Sequence, residues 1–300
     1  MKLHTLKGST QLFRGGTNSG VYHLSNNKIL IIDPGLSESR GAKLASYAKK
    51  ENKSITHVLA SHEHSDHIGA LAGILESFPK CQVLIDQRGK YILEAPDAFL
   101  AYINGGAPNK SLRGFFRPIE GGLKIDNTLK EGCFDIEGHP FEWLYFGGHS
   151  VGSGGLITPD KILFLGDTLI PGEILKKFKL PLLYSIKEQY KAFEKLTNSN
   201  YEQAVIGHGK RPLSKEECIN LALENKLVME NCIQLLLETL KTPRTKEYLM
   251  ASLVESLRLS LNYKEYLFGM SSVSSILSYL IDKDQVKISL DENELLYCLC

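Results

Sequence analysis

The stretch HVLASHEHSDH, residues 57–67, changes character at Ser61. An aliphatic run of the kind found in buried strands ends there. The ligand-type side chains that follow are His62, His64, Asp66 and His67. Histidines crowded this closely repel one another when they protonate, unless a bound cation gathers them. The sequence therefore predicts a strand that ends at a metal site.

Two more histidines and one aspartate stand in matching contexts. His149 follows LYFGG, His208 follows AVIG and Asp167 follows ILFLG. A glycine beside each residue lets the backbone turn sharply and lets a ligand approach closely. If these strands are neighbours, five histidines and two aspartates converge on one edge of a sheet. The predicted metal ligands are His62, His64, Asp66, His67, His149, Asp167 and His208.

The pattern of the first two thirds of the chain predicts a layered α/β fold. Short aliphatic runs alternate with helix-like stretches at 38–51, 67–77 and 186–197. Turn residues between apolar runs in LSNNKIL and ITPDKIL predict hairpins, so part of the sheet is antiparallel. With 300 residues, 43% of them hydrophobic, the chain is able to bury a sizeable core.

Beyond Pro212 the pattern becomes helical, so we predict a catalytic domain over 1–212 and a C-terminal domain over 213–300. Helices are predicted at 215–240, 245–258 and 271–282, followed by two strands around the turn DEN. This order is that of a winged helix. From 215 to 300, however, nine Lys and Arg face thirteen Asp and Glu, a net charge of −4. Because a nucleic-acid surface is basic, we favour a domain that shapes the substrate entrance or forms a homodimer.

Charge and hydropathy exclude several classes of protein. The net charge of +1 gives no bulk attraction to nucleic acid or to anionic membranes. We find no run of about 18 apolar residues and no signal-peptide pattern in the first twenty, so we expect a cytoplasmic protein without a membrane partner. The six cysteines form no C-x-x-C pair, as expected in a reducing compartment.

The segment 88–140 is rich in Gly, Pro and aromatic residues and is predicted to cover part of the molecule. Candidate lid residues are Tyr102, Phe115, Phe116 and Arg117, together with Tyr184.

Taken together, these motifs resemble those of the metallo-β-lactamase fold hydrolases over roughly residues 10–210. The resemblance implies an αβ/βα four-layer sandwich that holds one or two metals at a sheet edge. It implies that His62, His64 and His149 bind a first metal, that Asp66, His67 and His208 bind a second, and that Asp167 bridges them. The run IDPG matches as well and implies that Asp33 supports the ligand loop. Within this family, the motifs are similar to those of glyoxalase II, other thioesterases, lactonases and ribonuclease Z-like phosphodiesterases. The order of catalytic domain and winged-helix-like C-terminal region resembles the architecture of the β-lactamase-like protein 2 group, which has members that act on single-stranded RNA.

The resemblance leads us to expect a dinuclear metal-dependent hydrolase. Nitrogen and oxygen ligands favour two Zn²⁺ ions, with Fe or Mn as alternatives. Two such cations share a water and lower its pKa, so that hydroxide is available to attack a carbonyl or phosphoryl centre. Asp167 is expected to fix the distance between the two metals and to receive the proton that the attacking water loses. The candidate catalytic carboxylates are Asp66 and Asp167.

The substrate class stays open between a small ester, thioester or lactone and a phosphodiester or RNA. The small-molecule substrate is favoured, because the charge of the chain is near neutral and its C-terminal domain is acidic. A mononuclear iron dioxygenase needs only two histidines and one carboxylate, so the seven predicted ligands argue against it. A purely structural metal is disfavoured because structural sites are usually closed and rich in cysteine.

Overall fold

The computed structural model describes residues 3–116, 122–125 and 127–300, and the side chains of these except Tyr102, Phe115 and Phe116. Of the predicted lid residues, Arg117 therefore lies outside the described residues, as do the three aromatic side chains. The chain forms two compact units. The first comprises residues 1–146, 151–168 and 198–218, and the second comprises 147–150, 169–197 and 219–300. The predicted domain division at residue 212 stays a prediction.

The first unit contains two sheets. The strands of the seven-stranded sheet lie in chain order and are β1 (Leu3–Lys7), β2 (Thr10–Phe13), β3 (Ser19–His23), β4 (Lys28–Ile32), β5 (Ser54–Leu59), β6 (Gln82–Asp86) and β7 (Asn127–Leu129). Neighbours from β1 to β4 are antiparallel, and neighbours from β4 to β7 are parallel. The carboxyl ends of β4, β5 and β6 therefore meet at one edge.

The six-stranded sheet has the order β13-β12-β11-β10-β9-β8. Its strands are β8 (Gly132–Ile136), β9 (His139–Tyr145), β10 (Gly154–Ile157), β11 (Ile162–Phe164), β12 (Gln203–Val205) and β13 (Leu213–Ser214). β11 and β12 are parallel, and the other neighbours are antiparallel. The two predicted hairpins are confirmed as β3–β4 and β10–β11.

Six helices belong to the first unit: α1 (Glu38–Lys50), α2 (Ser65–Ile68), α3 (Leu71–Leu75), α4 (Gln87–Glu94), α5 (Pro96–Asn104) and α6 (Lys110–Phe116). The Ser37 side chain caps α1 by accepting a hydrogen bond from the amide of Arg40, and lysines close its last turn. The last three helices lie largely in the segment 88–140, for which we assigned no secondary structure from the sequence.

Two apolar clusters hold this unit together. One joins the seven-stranded sheet to α1 and α3 through residues such as Ile29, Leu44 and Leu71. The other joins the two sheets through residues such as Leu30, Trp143 and Phe164. Since apolar burial is the main favourable term in folding, the paired sheets form a rigid support for the loops at their edges. The predicted α/β sandwich is confirmed.

Most of the remaining elements belong to the second unit: α7 (Gly172–Phe178), α8 (Ile186–Asn198), α9 (Lys215–Thr239), α10 (Lys246–Leu257), α11 (Tyr263–Ile281), β14 (Val286–Asp291) and β15 (Glu294–Leu299). The predicted order of three helices and a hairpin is confirmed. α11 begins at Tyr263 rather than at residue 271, because Asn262 and Glu265 form a capping box there. The assignment as a winged helix stays a prediction.

Among the residues that the structure describes, no helix is both long enough and apolar enough to cross a membrane.

Candidate metal centre

The predicted ligands of the first unit follow strands of both sheets, which corrects the expectation of a single sheet edge. The stretch from His62 to His67 follows β5 of the seven-stranded sheet, whereas Asp167 follows β11 and His208 follows β12 of the six-stranded sheet. The amide of Gly207 donates to the carbonyl of Gly166 over 2.8 Å, so the parallel pair β11–β12 continues into these loops. Side chains that are far apart in sequence are thereby brought together.

The first group consists of His62, His64 and His149, whose candidate ligand atoms all lie within 4.8 Å of one another. Nε2 of His62 lies 3.0 Å from Nδ1 of His64, and their ring centres are 4.6 Å apart. His62 and His149 are buried, and His64 is half-buried. Three imidazoles in this arrangement are a suitable ligand set for a divalent transition metal.

The second group consists of Asp66, His67, Asp167 and His208, and its ligand atoms also lie within 4.8 Å of one another. Nε2 of His208 is 3.2 Å from Oδ2 of Asp66 and 3.2 Å from Oδ2 of Asp167. Nε2 of His67 is 3.4 Å from Oδ1 of Asp167. The His62 and His67 ring centres are only 4.1 Å apart, so the two groups are neighbours.

Fixed acceptors set the orientation of both histidines in the second group. Nδ1 of His67 lies 2.9 Å from Oδ2 of Asp33, and Nδ1 of His208 lies 2.6 Å from the carbonyl oxygen of Gly16. A carbonyl only accepts, so Nδ1 of His208 carries the proton. In each ring Nε2 is left to face the aspartates, which is the tautomer that a metal ligand requires.

Asp33 also organises the backbone of the ligand loop. Its Oδ1 accepts a hydrogen bond from the amide of Ser61 over 2.7 Å, while its other oxygen faces His67. The hydroxyl of Ser61 lies 3.1 Å from Nδ1 of His62 and 3.3 Å from Nδ1 of His67. One carboxylate and one hydroxyl therefore hold histidines of both groups.

Electrostatic interactions within the second group lower the pKa of Asp167 and raise the pKa values of His67 and His208. Burial alone raises the pKa of Asp167, but the charge of His67 and the hydrogen bond with His208 outweigh it and hold that pKa well below the usual range. Burial alone lowers the pKa of His67, but the charges of Asp167 and Asp33 raise it well above its ordinary value. Hydrogen bonds with Asp167 and Asp66 raise the pKa of His208 to about 10.

Asp66 shows the same balance as Asp167. Burial alone raises the pKa of Asp66, while the hydrogen bond with His208 and the charge of His67 lower it below the usual range. Without a cation, this group therefore holds itself together as imidazolium and carboxylate. A divalent cation replaces those protons with its own charge.

Two local features fit a cation in the second group. Nε2 of His67 is buried and makes no hydrogen bond among the described residues, although it points towards Asp167 and Asp66. Gly207 provides space, because a Cβ there would lie 2.3 Å from Oδ1 of Asp167 and 2.8 Å from Cε1 of His67. A buried nitrogen without a partner costs free energy, which a bound metal ion would relieve.

His149 belongs to the second unit and is held there by a backbone carbonyl. Its Nδ1 lies 3.3 Å from the carbonyl oxygen of Leu182, so Nδ1 donates and Nε2 is left as the ligand atom. The neighbouring carbonyl of Gly148 accepts hydrogen bonds from the amides of Tyr184 and Ser185, over 2.8 and 3.1 Å. The segment 182–185 therefore fixes both the position and the tautomer of His149.

All seven residues predicted as ligands fall into one of these two groups. Their roles as metal ligands, and those of Asp66 and Asp167 in catalysis, remain predictions. Other histidines have structural contacts, as expected: His23 with Gln11 and His139 with Ser25. All six cysteines of the described chain are free thiols, and none belongs to either group.

Sequence reasoning missed residues that hold the ligands without binding a metal. The Asn18 side chain donates to the carbonyls of Ile206 and Gly209, on either side of His208. Arg40 donates to the carbonyls of Pro34 and Thr17, which ties the loop after β4 to the loop after β2. Both residues act on backbone carbonyls, which have no sequence signature. Asn18 and Arg40 therefore could not be assigned before the fold was known.

Comparison with known proteins agrees with this geometry. The sequence model of the metallo-beta-lactamase superfamily matches residues 12–208. The probable metallo-hydrolase YqgX of Bacillus subtilis is 29% identical over 204 residues, 65% of this chain and 87% of that protein. A hydroxyacylglutathione hydrolase of Vibrio cholerae is 27% identical over 139 residues, 46% of this chain and 41% of that protein.

A solved structure extends the similarity of the fold to the C-terminal helices. A metallo-beta-lactamase family protein of Thermus thermophilus superposes with a TM-score of 0.72 at 18% identity, covering 97% of this chain and 94% of that one. The region that the family model matches contains all seven residues of the two ligand groups, and His208 is its last residue. Because the family model covers most of the chain and includes both ligand groups described above, the chain belongs to the metallo-beta-lactamase superfamily.

Proposed function

We propose that the protein is a dinuclear metal-dependent hydrolase of a small carboxylic ester, thioester or lactone. The observation that carries the proposal is the pair of adjacent ligand groups, one of three histidines and one of two histidines and two aspartates. Nitrogen and oxygen donors without thiolate suit Zn²⁺, and also Fe or Mn. When bound, two such cations supply Lewis acidity and lower the pKa of a water molecule.

The protein's own residues supply orientation and charge. Asp33, Gly16 and Leu182 hold Nδ1 of three ligand histidines, so the rings are oriented before a cation arrives. Preorganised ligands would lose little conformational freedom when a cation binds. The low pKa of Asp167 keeps its carboxylate ionised at neutral pH.

From the sequence we expected Asp167 to receive the proton, but greater exposure favours Asp66 as the group that carries it. Its side chain is 39% exposed, whereas that of Asp167 is 12% exposed. In the proposed reaction the oxygen of water bonds to the acyl carbon, and the bond from that carbon to the leaving oxygen or sulfur breaks. One water proton passes by way of Asp66 to the leaving group. The products are a carboxylic acid and an alcohol or thiol.

Two observations support a carbonyl substrate over a nucleic acid. The relative from Vibrio cholerae is named as a hydrolase of an acylated glutathione. Residues 215–300 carry a net charge of −4, which opposes binding to a phosphate backbone. We therefore propose a small-molecule substrate in the cytoplasm, with homodimerisation as the further role of the C-terminal region. A phosphodiesterase or endoribonuclease is the alternative.

The test compares substrates on protein of measured metal content. Hydrolysis of a thioester, a lactone, bis(p-nitrophenyl) phosphate and a short RNA is followed side by side. We expect the best carbonyl substrate to exceed both phosphodiesters by about tenfold or more in kcat/KM. A phosphodiester or RNA that reacts faster would refute the carbonyl assignment and support the alternative.

Variants test the ligand groups separately. His62→Ala in the first group and Asp167→Asn in the second are expected to abolish turnover and to lower the bound metal. The matched control is His139→Gln, because His139 contacts Tyr22 and Ser25 and belongs to neither group. Near-full activity of either ligand variant after reloading with metal would contradict the proposal.

A further inference from the structure

Within the described chain, strand β14 pairs only with β15, so its other edge is open. The direction of the backbone groups follows from β15, where Tyr297 exchanges hydrogen bonds of 2.9 Å in both directions with Arg244. The amide and carbonyl of Tyr297 therefore point away from β14. Those of Ile288, the residue opposite, point away from β15. Because this direction alternates along a strand, Leu290 also directs its amide and carbonyl to the open edge.

The side chains along the open edge are apolar and exposed. Ile288 is 51% exposed and Leu290 is 72% exposed, whereas Val286 at the start of the same strand is buried. All three lie on one face of the hairpin, because side chains alternate along a strand. Leu295, opposite Leu290 on β15, lies on that face as well and is 49% exposed. The outer half of the hairpin therefore offers both backbone groups and apolar surface, a combination that native edge strands usually avoid.

The other face of β14 carries one residue of each charge. Lys287 and Asp291 are both exposed. Asp291 lies directly opposite Glu294 on β15, and like charges in such a cross-strand pair are destabilising. A cation on the open side of Asp291 would offset this repulsion. The partner of the edge should therefore be a strand that is apolar on one face and presents a cation on the other.

A second copy of the same strand meets these requirements in one register. When two β14 strands pair antiparallel about a two-fold axis at Ser289, Ile288 of each copy faces Leu290 of the other, and Lys287 faces Asp291. Ile288 and Leu290 direct their backbone groups outward, so the facing pair can exchange hydrogen bonds in both directions. Centring the strands on Ile288 or on Leu290 instead would separate the opposite charges. Charge and hydrogen bonding therefore favour the same arrangement.

We propose that the protein forms a homodimer in which two β14 strands join the hairpins of both copies into one four-stranded antiparallel sheet. The inference rests on the homodimerisation that the proposed function includes, but not on the chemistry at the metal centre. The assembly is closed, because the pairing uses the open edge of each copy. One strand of six residues from each copy makes a small interface, so we expect a dissociation constant of about 10 μM.

Sedimentation velocity of the full chain at known metal content measures the dimer. We expect the sedimentation coefficient to rise from that of a monomer to that of a dimer between about 1 and about 100 μM, by mass action. Low ionic strength is used because salt screens exposed charges. Wild-type protein that stays monomeric at about 100 μM would overturn the inference.

Exchange of the two charges tests the register. Lys287→Asp places a carboxylate opposite Asp291 of the other copy on both sides of the axis and is expected to weaken the dimer by about tenfold. Combining it with Asp291→Lys restores opposite charges and should return the dissociation constant to within about threefold of wild type. The matched control is Lys241→Asp, because Lys241 is exposed and lies outside the hairpin. Equal dissociation constants in Lys287→Asp and Lys241→Asp, or no recovery in the double variant, would overturn the inference.

Amide hydrogen exchange tests the backbone pairing without a mutation. The amides of Ile288 and Leu290 point outward in the monomer and are hydrogen-bonded in the proposed dimer, so we expect their exchange to slow by about tenfold as the dimer forms. Exchange at these amides that does not change while the protein dimerises would place the interface elsewhere and overturn the inference. Hydrolysis is assayed separately. A dimer without hydrolase activity supports this inference while the proposed reaction fails, and an active monomer has the opposite meaning.

Discussion

His208 shows how single atoms prepare a cation site. Its Nδ1 donates to the Gly16 carbonyl, so Nε2 is directed at the carboxylates of Asp66 and Asp167, 3.2 Å from each. Those carboxylates raise the pKa of His208 to about 10, so Nε2 is protonated at neutral pH in the absence of a cation. A proton and a metal ion therefore compete for the same lone pair.

Proton release on metal binding follows from this competition. His67 and His208 both have raised pKa values, so both must lose a proton when a cation binds, and we expect about two protons to be released by the second group at about pH 7.5. Release should diminish as the pH rises through about 10, where His208 is already neutral. A dye titration in weak buffer measures it. His208→Asn should release about one proton fewer, and metal binding without any release would contradict the assignment.

Asp33→Asn tests the support of His67. The new amide can still accept from the Ser61 amide, but its NH₂ group then faces Nδ1 of His67, which also donates. The ring must change its tautomer and present a protonated Nε2 to the metal. We expect metal affinity to weaken by about 10- to 100-fold, measured by competition with a chelator. Asp33→Glu restores the charge at a different length, and unchanged affinity in Asp33→Asn would refute the supporting role.

Among the elements, α11 supports a predicted metal ligand, although its position in the sequence does not indicate this. Its buried Ser272 holds Pro181 and Leu183, and the residue between them accepts from His149. The helix therefore supports a predicted metal ligand that lies more than a hundred residues earlier in the chain.

Ser272→Ala measures this support. The change leaves the Leu183 amide and the Pro181 carbonyl without this partner, and we expect it to cost about 1–3 kcal/mol of unfolding free energy and to weaken metal binding several-fold. The control is Ser274→Ala, because the Ser274 hydroxyl donates only within α11, to the carbonyl of Met270 over 2.9 Å. Equal metal affinity in both variants would show that α11 does not position His149.

The sequence predicted elements well where the pattern itself determines them. The run before Ser61, the helix at 38–51 and the three C-terminal helices have clear periodicity and caps, and they are confirmed. α5 and α6 were missed because they are short and contain glycine or end near it, so their stability depends on packing rather than on local preference.

The site was predictable in its ligands but not in their supports. Histidine and aspartate after strand ends are visible in the sequence, and the parallel pairing of β11 and β12 brings Asp167 and His208 together. The contact from His149 to the carbonyl of Leu182 spans 33 residues and involves the backbone of one partner. Any residue type at position 182 offers the same carbonyl, so no sequence pattern marks it.

At the scale of the whole molecule, the metal ions are expected to contribute to stability. The ligands of the second group come from Asp66 to His208, so a bound ion links three separate loops of the folded chain. A ligand that binds only the folded state stabilises it by about 2.7 kcal/mol at a hundred times its dissociation constant.

Metal removal should therefore lower the melting temperature. We expect a decrease of about 5 to 10 °C after dialysis against a chelator, reversed when Zn²⁺ is added back. Differential scanning calorimetry of wild type, Asp167→Asn and His139→Gln provides the measurement. The Asp167→Asn variant should respond weakly and His139→Gln like wild type, whereas a melting temperature independent of metal in wild type would contradict a resident cation.

The separation between His67 and His208 also sets an order of events during synthesis. At about 5–20 residues per second, a ribosome needs about 7 to 30 s to extend the chain from His67 to His208. During that interval the nascent chain exposes HEHSDH without the aspartate and histidine that complete the second group. The second ligand group is therefore complete only after β12 has paired with β11, so the order of the strands in the chain determines when this group becomes able to bind a cation.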